Sequence, residues 1–206
     1  MVSDKFMVNS DAGRMAAARY ATENFAWQIK LNRRDTLRLD LLVEETLGMV
    51  KAMLEEFYGQ LWFVNSGSRC EIHLEVTGDV DPGVRRELLS VSTTGKNAAA
   101  KGFMARLGAF ISEAVHGFGQ TIDAYGQETI RYGIVHTTNT MSPSMDMMPI
   151  WTLQAYRADL EEAKASEADA ELALEDLEKS IVASLADDIV VGVKGDRVDL
   201  VITRGF

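Results

Sequence analysis

From Arg69 to Val76 polar and apolar residues alternate without a break. Cys70, Ile72, Leu74 and Val76 take one parity, and Arg69, Glu71, His73 and Glu75 take the other. A period of two sends successive side chains to opposite faces of a strand, so this run predicts a sheet that buries one face and leaves the other wet. Leu61 to Val64 precedes it across Asn65-Ser66-Gly67-Ser68, a turn composition that predicts a hairpin. A second hairpin is expected near the end of the chain. There Ile189 to Val193 and Arg197 to Thr203 flank Lys194-Gly195-Asp196, and Val198, Leu200 and Ile202 share one face. Such a sheet must be covered by something amphipathic, and the chain supplies helices.

Lys5 to Asn9 can form a short first strand. Ser10 or Asp11 then offers a side-chain oxygen to cap a helix through about Trp27, with Met15, Ala18, Ala21 and Phe25 on its apolar face. A second helix is expected after Asn32, with Asp35 three residues on in the manner of a capping box. Leu39, Leu42, Thr46, Val50, Met53 and Phe57 recur at spacings of three and four and form its core stripe. Leu41, Glu45 and Met49 flank the stripe, and Gly59 is expected to end the helix. Farther on, Asp81-Pro82 opens a short helix to about Leu89, and a longer one covers Ala98 to Ile122. Tyr125 to Pro149 has no sustained period and reads as a long loop carrying Met141, Met145, Met147 and Met148, with a short strand near Thr129 to His136. Ile150 to about Lys164 is expected to be helical. The Ala/Glu-rich piece to Asp187 continues or resumes it, with Leu174, Leu177, Ile181 and Leu185 as its stripe.

Composition narrows the function classes. The 206 residues suit one elaborated domain, and the formal net charge of -10 opposes binding to a phosphate backbone or an anionic bilayer. Lys30 to Arg38 is the most basic run, but Asp35 interrupts it and Asp40, Glu44 and Glu45 follow. Nucleic acid is therefore not an expected partner. A single cysteine, Cys70, cannot form an internal disulfide, and no apolar stretch approaches the roughly 20 residues of a spanning helix. The opening residues carry no charged start followed by an apolar run, so a cytoplasmic, reducing location is expected. His73, His116 and His136 lie too far apart to suggest a metal cluster. Ser92-Thr93-Thr94-Gly95-Lys96 lacks the glycine spacing of a phosphate loop, and Asn97 follows its lysine.

The order strand, helix, helix, hairpin, variable region, helix, hairpin resembles the histidine-kinase-like ATPase fold, also called the GHKL or Bergerat fold. More narrowly it resembles the branch of anti-sigma factors and serine-protein kinases. Three segments carry the likeness: Phe6 to Val50, "LEVTGDVDPGVRRELL" at the hairpin exit, and "LEKSIVASLADDIVVGVKGDRVDLVITRGF" at the end. The resemblance implies an α/β two-layer sandwich, a mixed sheet with helices on one face. It makes residues 1–206 one domain and residues 95–177 an enlarged helical lid within it. It also implies a regulatory role in bacterial signalling or transcription, a protein partner such as a sigma factor or its antagonist, and dimerisation.

In the family the second helix presents a Glu and, four residues on, an Asn that binds the magnesium bridging the nucleotide phosphates. Here those places fall on Glu45 and Met49, and a thioether is a poor ligand for a hard cation. The family's Asp-x-Gly-x-Gly turn, which reads adenine, aligns on Gly78, Asp79 and Val80, and the lid then opens at Thr94 and Gly95. Glu178 and Asp176 stand where lid glycines would fold amides onto phosphate. These departures predict a degenerate site with no cofactor and no metal, in a module that works by binding protein. One alternative keeps ATP and Mg and phosphorylates a serine or threonine with Glu45 as base. Another turns the former pocket, lined by Met49 and residues near Val80, over to a different small ligand. Read without the resemblance, Glu45 is a helix-flank carboxylate and Met49 a core or pocket-wall residue. The loop methionines then form an adaptable surface or pack in a groove, and the acidic run Asp159 to Glu178 is a solvated helix face.

Overall fold

The structure, a computed structural model, describes residues 1–54, 56–78, 107–108, 110–111, 134–135, 150–165, 168–194 and 196–206. The chain opens with β1 (Phe6–Asn9), α1 (Ala12–Gln28), α2 (Arg33–Leu54), β2 (Phe57–Asn65) and β3 (Arg69–Gly78). After β4 (Ile134–Val135) and β5 (Ile150–Thr152) come α3 (Leu153–Ala163), α4 (Ala168–Lys179), α5 (Ile181–Leu185), β6 (Asp188–Lys194) and β7 (Arg197–Gly205). The expected helices over 81–89 and 98–122 lie outside the described residues, apart from helical Leu107, Gly108, Phe110 and Ile111.

Local signals set the first two helices. Asp11, not Ser10, caps α1: its Oδ1 accepts from the amides of Gly13 at 2.8 Å and Arg14 at 3.2 Å. Asn32 caps α2 by accepting from the Asp35 amide at 3.0 Å. The Asp35 carboxylate answers by accepting from the Asn32 side-chain amide at 2.6 Å, a side-chain variant of the reciprocal box. The α2 stripe is buried as its spacing requires, from Leu39 through Leu42, Thr46 and Val50 to Met53. The helix stops at Leu54, earlier than expected, and Phe57 and Gly59 belong to β2. Gly59 is needed there because a Cβ would run into the Glu75 carbonyl across the pair.

The strands form one seven-stranded sheet in the order β1-β2-β3-β7-β6-β5-β4. Every pairing among the described strands is antiparallel, which corrects the mixed sheet that the resemblance implied. The physical reason lies in the connections. Short turns join β2 to β3 and β6 to β7, and the passage from β1 through two successive helices to β2 reverses direction three times, an odd number that returns the chain antiparallel. In the first hairpin the Ser66 amide donates to the Arg69 carbonyl at 2.9 Å, and Gly67 takes φ 88°.

One face of the sheet carries the core. Phe57, Leu61 and Phe63 of β2, Cys70 to Val76 in alternation on β3, Ile189, Val191 and Val193 of β6, and Val198, Leu200 and Ile202 of β7 are all buried. Helix residues close over them: Phe25 of α1 stacks on Phe63 at 4.8 Å between centroids, and Trp151 meets Tyr156 at 5.6 Å. Full burial of one such ring contributes about 1.5–3 kcal/mol. The protein is thus α+β, with a helical layer on one face of an antiparallel sheet. Ile150 to Thr152, expected as helix, is the strand β5, and Thr152 Oγ1 caps α3 by accepting from the Ala155 amide at 3.1 Å. Ser180 breaks the acidic helix, where its hydroxyl caps α5 by accepting from Ala183 at 3.3 Å. No helix among the described residues is long and apolar enough to cross a membrane.

Candidate functional site

The C-terminal half of α2 and the end of β3 hold those residues of the expected nucleotide site that the structure describes. Glu45 is half-buried on the flank of α2 and has no hydrogen-bond or ion-pair partner among the described residues. One turn on, Met49 is 4% exposed and belongs to the same apolar cluster as Leu107, Phe110 and Ile111. Its sulfur is therefore closed into hydrocarbon. Such a donor does not fit magnesium, which takes oxygen ligands in octahedral geometry and keeps several waters.

Gly78 ends β3 opposite Phe57. A Cβ built on it would stand 2.6 Å from the Glu56 carbonyl oxygen and 3.3 Å from Phe57 Cα. The absence of a side chain is thus a packing requirement at this strand end, and a carboxylate could not be added without moving the backbone. Asp79, Val80, Thr94 and Gly95 lie outside the described residues. Of the expected site, then, the structure describes Glu45, Met49 and Gly78. It places Met49 in the core and Gly78 against backbone. Among the described residues no group of three or more His, Cys, Asp or Glu side chains could hold a metal ion.

Nearer the N-terminus of α2 a charged pair serves packing. Asp40 is 4% exposed and accepts from Arg19 of α1, with Nη2 at 2.6 Å and Nε at 3.1 Å. Glu44 adds a longer approach at 3.8 Å. The Arg19 guanidinium is held above its ordinary pKa, first by the hydrogen bond to Asp40 and then by the charges of Asp40 and Glu44. This fork ties α1 to α2 in the manner of bidentate arginine–carboxylate pairs. Neither residue stood out in the sequence, because 21 residues separate them.

Two further features lie outside that site. On the open face of the sheet, Trp62 lies between Lys5, whose Nζ is 4.3 Å from the ring centroid, and His73, stacked on it at 5.1 Å. His73 Nε2 is 3.0 Å from Glu71 Oε2, and Arg197 bridges Glu75 and Asp199 at 3.0 Å and 2.9 Å. Register makes this row, since Trp62 faces His73 across β2 and β3. The second feature is on α1, where Tyr20 is 72% and Trp27 80% exposed. The signal for it was present in the sequence: apolar residues of α1 occur outside the Ala18–Phe25 face, and a helix apolar on two sides has a second surface to cover. Compared with protein-family models, curated proteins and solved structures, the chain shows no significant match to any of them.

Proposed function

We propose that this chain is a non-catalytic protein of the histidine-kinase-like ATPase type, acting as a regulatory protein-binding module in bacterial signalling or transcription in the manner of an anti-sigma factor. The observation that supports the reading is Met49, buried at 4% exposure where the family would offer magnesium an oxygen ligand. Gly78 adds to it, since the place of the adenine-reading carboxylate is packed against Glu56 and Phe57. A pocket without its metal ligand and its base-reading acid has little means of orienting a triphosphate for transfer. Binding surfaces then become the business of the fold, and the net charge of -10 favours a partner with a basic contact region.

Thermal unfolding of the full chain with and without Mg-ATP tests this. A ligand at a hundred times its dissociation constant stabilises by about 2.7 kcal/mol, so the midpoint should stay unchanged here. A midpoint that rises with Mg-ATP and not with ATP and chelator would return Glu45 to the role of base in a kinase. Pull-down with candidate sigma factors and their antagonists tests the partner, and a stoichiometric complex formed without nucleotide is the expected outcome.

A further inference from the structure

We infer that the outer valley between α1 and α2 docks an amphipathic helix of a protein partner, with carboxylates at the end that meets the α1–α2 corner. The inference rests on the protein-binding reading above and names its contact surface. Only residues 29–32 separate the two helices, so they run antiparallel side by side. The Arg19–Asp40 pair, at 2.6 Å, fixes which sides of them meet. Eight residues past Arg19, Trp27 stands about 80° round α1, on the side away from the buried Ala18, Thr22 and Phe25. Leu37 and Leu41 stand about 60° and 100° round α2 from Asp40, again away from the core. Tyr20 shares the Trp27 face, two turns nearer the N-terminus. The four side chains therefore line one outward valley, with Arg19 and Asp40 tying its two walls together.

Among the described residues the large apolar side chains left exposed include all four, with Leu37 at 54% and Leu41 at 43% beside the two aromatic rings. Two rings of on the order of 200 Å² each already present about 300 Å², and the leucines extend the patch into the range that marks interaction sites on a monomer. Apolar rungs one and two turns apart on antiparallel helices leave a groove, and a third helix fills it by packing its own ridge between them.

Charge selects the occupant. In sequence Asp35 interrupts the basic run and Asp40 follows it, but in the fold both are committed. Asp35 accepts from Arg38 at 3.0 Å and from the Asn32 side chain at 2.6 Å, and Asp40 accepts from Arg19. Lys30, Arg33 and Arg34 are left exposed, with no ion pair among the described residues. They stand at the corner between Trp27 and Leu37, a local cationic end on a chain of net charge -10. Glu23 and Glu44, the exposed carboxylates of the valley, lie at least a turn away from that corner, so the valley changes sign along its length and sets the direction of its occupant. Carboxylates on a partner helix meet these cations within a Debye length of about 8–10 Å. An anionic bilayer is broad enough to meet the negative field of the whole protein instead.

Two synthetic helical peptides of about 18 residues test this on the full chain by fluorescence anisotropy. Both carry a leucine stripe; one has glutamates and the other lysines in a terminal turn. The glutamate peptide should bind at least about tenfold more tightly, by a margin that shrinks as salt is added. Arg33→Glu combined with Arg34→Glu should reverse the preference. Trp27→Ala should weaken both peptides at least about tenfold, whereas Leu172→Ala, also at an exposed leucine but on α4, should leave them unchanged. All these positions are exposed, and circular dichroism verifies that each variant is folded. Binding of neither peptide, equal affinity for both, or a preference that survives the charge reversal overturns the inference. So does Leu172→Ala acting as strongly as Trp27→Ala, or phosphatidylglycerol vesicles displacing the glutamate peptide from the chain. The Mg-ATP measurement reports on Met49 and Gly78 and this one on the corner, so they fail separately. A stoichiometric sigma-factor complex indifferent to Trp27→Ala would leave the regulatory reading standing and overturn this surface alone.

Discussion

Lys30 is the one non-glycine residue with positive φ among those described, at 58°. It closes α1, with its amide donating to the Trp27 carbonyl at 3.1 Å and the Leu31 amide reaching the Ala26 carbonyl at 2.9 Å. A left-handed lysine carries a steric cost that glycine avoids, so Lys30→Gly should stabilise the protein by about 0.5–1 kcal/mol in urea unfolding. Met49 makes the opposite case. Met49→Ala should cost about 2–5 kcal/mol because the site is closed on all sides, and Met49→Asn should do no better since its amide would be buried in hydrocarbon. Gly78→Asp should cost about 1–3 kcal/mol for the clash with the Glu56 carbonyl, with no gain in nucleotide binding. Cys70 titrates at about 12 in place of the ordinary 9.0, chiefly through burial and secondarily through the Glu71 charge. The folded state thus holds its proton more tightly than the unfolded one. Its contribution to stability is complete below about pH 9 and is lost as pH climbs toward 12, which alkaline unfolding of wild type against Cys70→Ala would reveal.

At the scale of elements, capping carries much of the definition. Asp11→Ala removes the acceptor for two amides of α1 and should cost about 1 kcal/mol, read as a lower urea midpoint at unchanged m-value. Caps, turns and periodicity are local, which is why α1, α2 and both hairpins were legible from residues alone. The exceptions have non-local causes. Ile150-Trp151-Thr152 precedes a helical pattern without interruption, and it is a strand because the edge of β6 accepts Trp151 opposite Val191. Phe57 continues the spacing of the α2 stripe and is a strand residue because pairing with Gly78 outweighs one more helical turn. The site was legible only in part. The residue types at Glu45, Met49 and Gly78 could be read for their chemistry, but the closure of Met49 into the core and the contact that requires Gly78 are made by residues distant in sequence.

For the molecule as a whole, strand order decides where stability concentrates. β7 lies at the centre of the seven strands, paired with β3 along nine residues and with β6 along seven, whereas β1 is a four-residue edge. Amide exchange should therefore be slowest in β3 and β7, approaching the rate of global unfolding, and markedly faster in β1; equal protection across the sheet would contradict this order. Taken alone, the sequence determined which residues are helical or extended near their own signals, which face of each strand is apolar, and the sign of the field the chain presents to its surroundings. Periodicity, capping and net charge act over a few residues or over the bulk composition, and both can be read in one dimension. Tertiary structure alone decided the antiparallel order, the closure around Met49, the Arg19–Asp40 tie and the exposure of Tyr20 and Trp27. Each depends on which distant surfaces meet, and a surface left over after packing is defined only once every other face has found its cover.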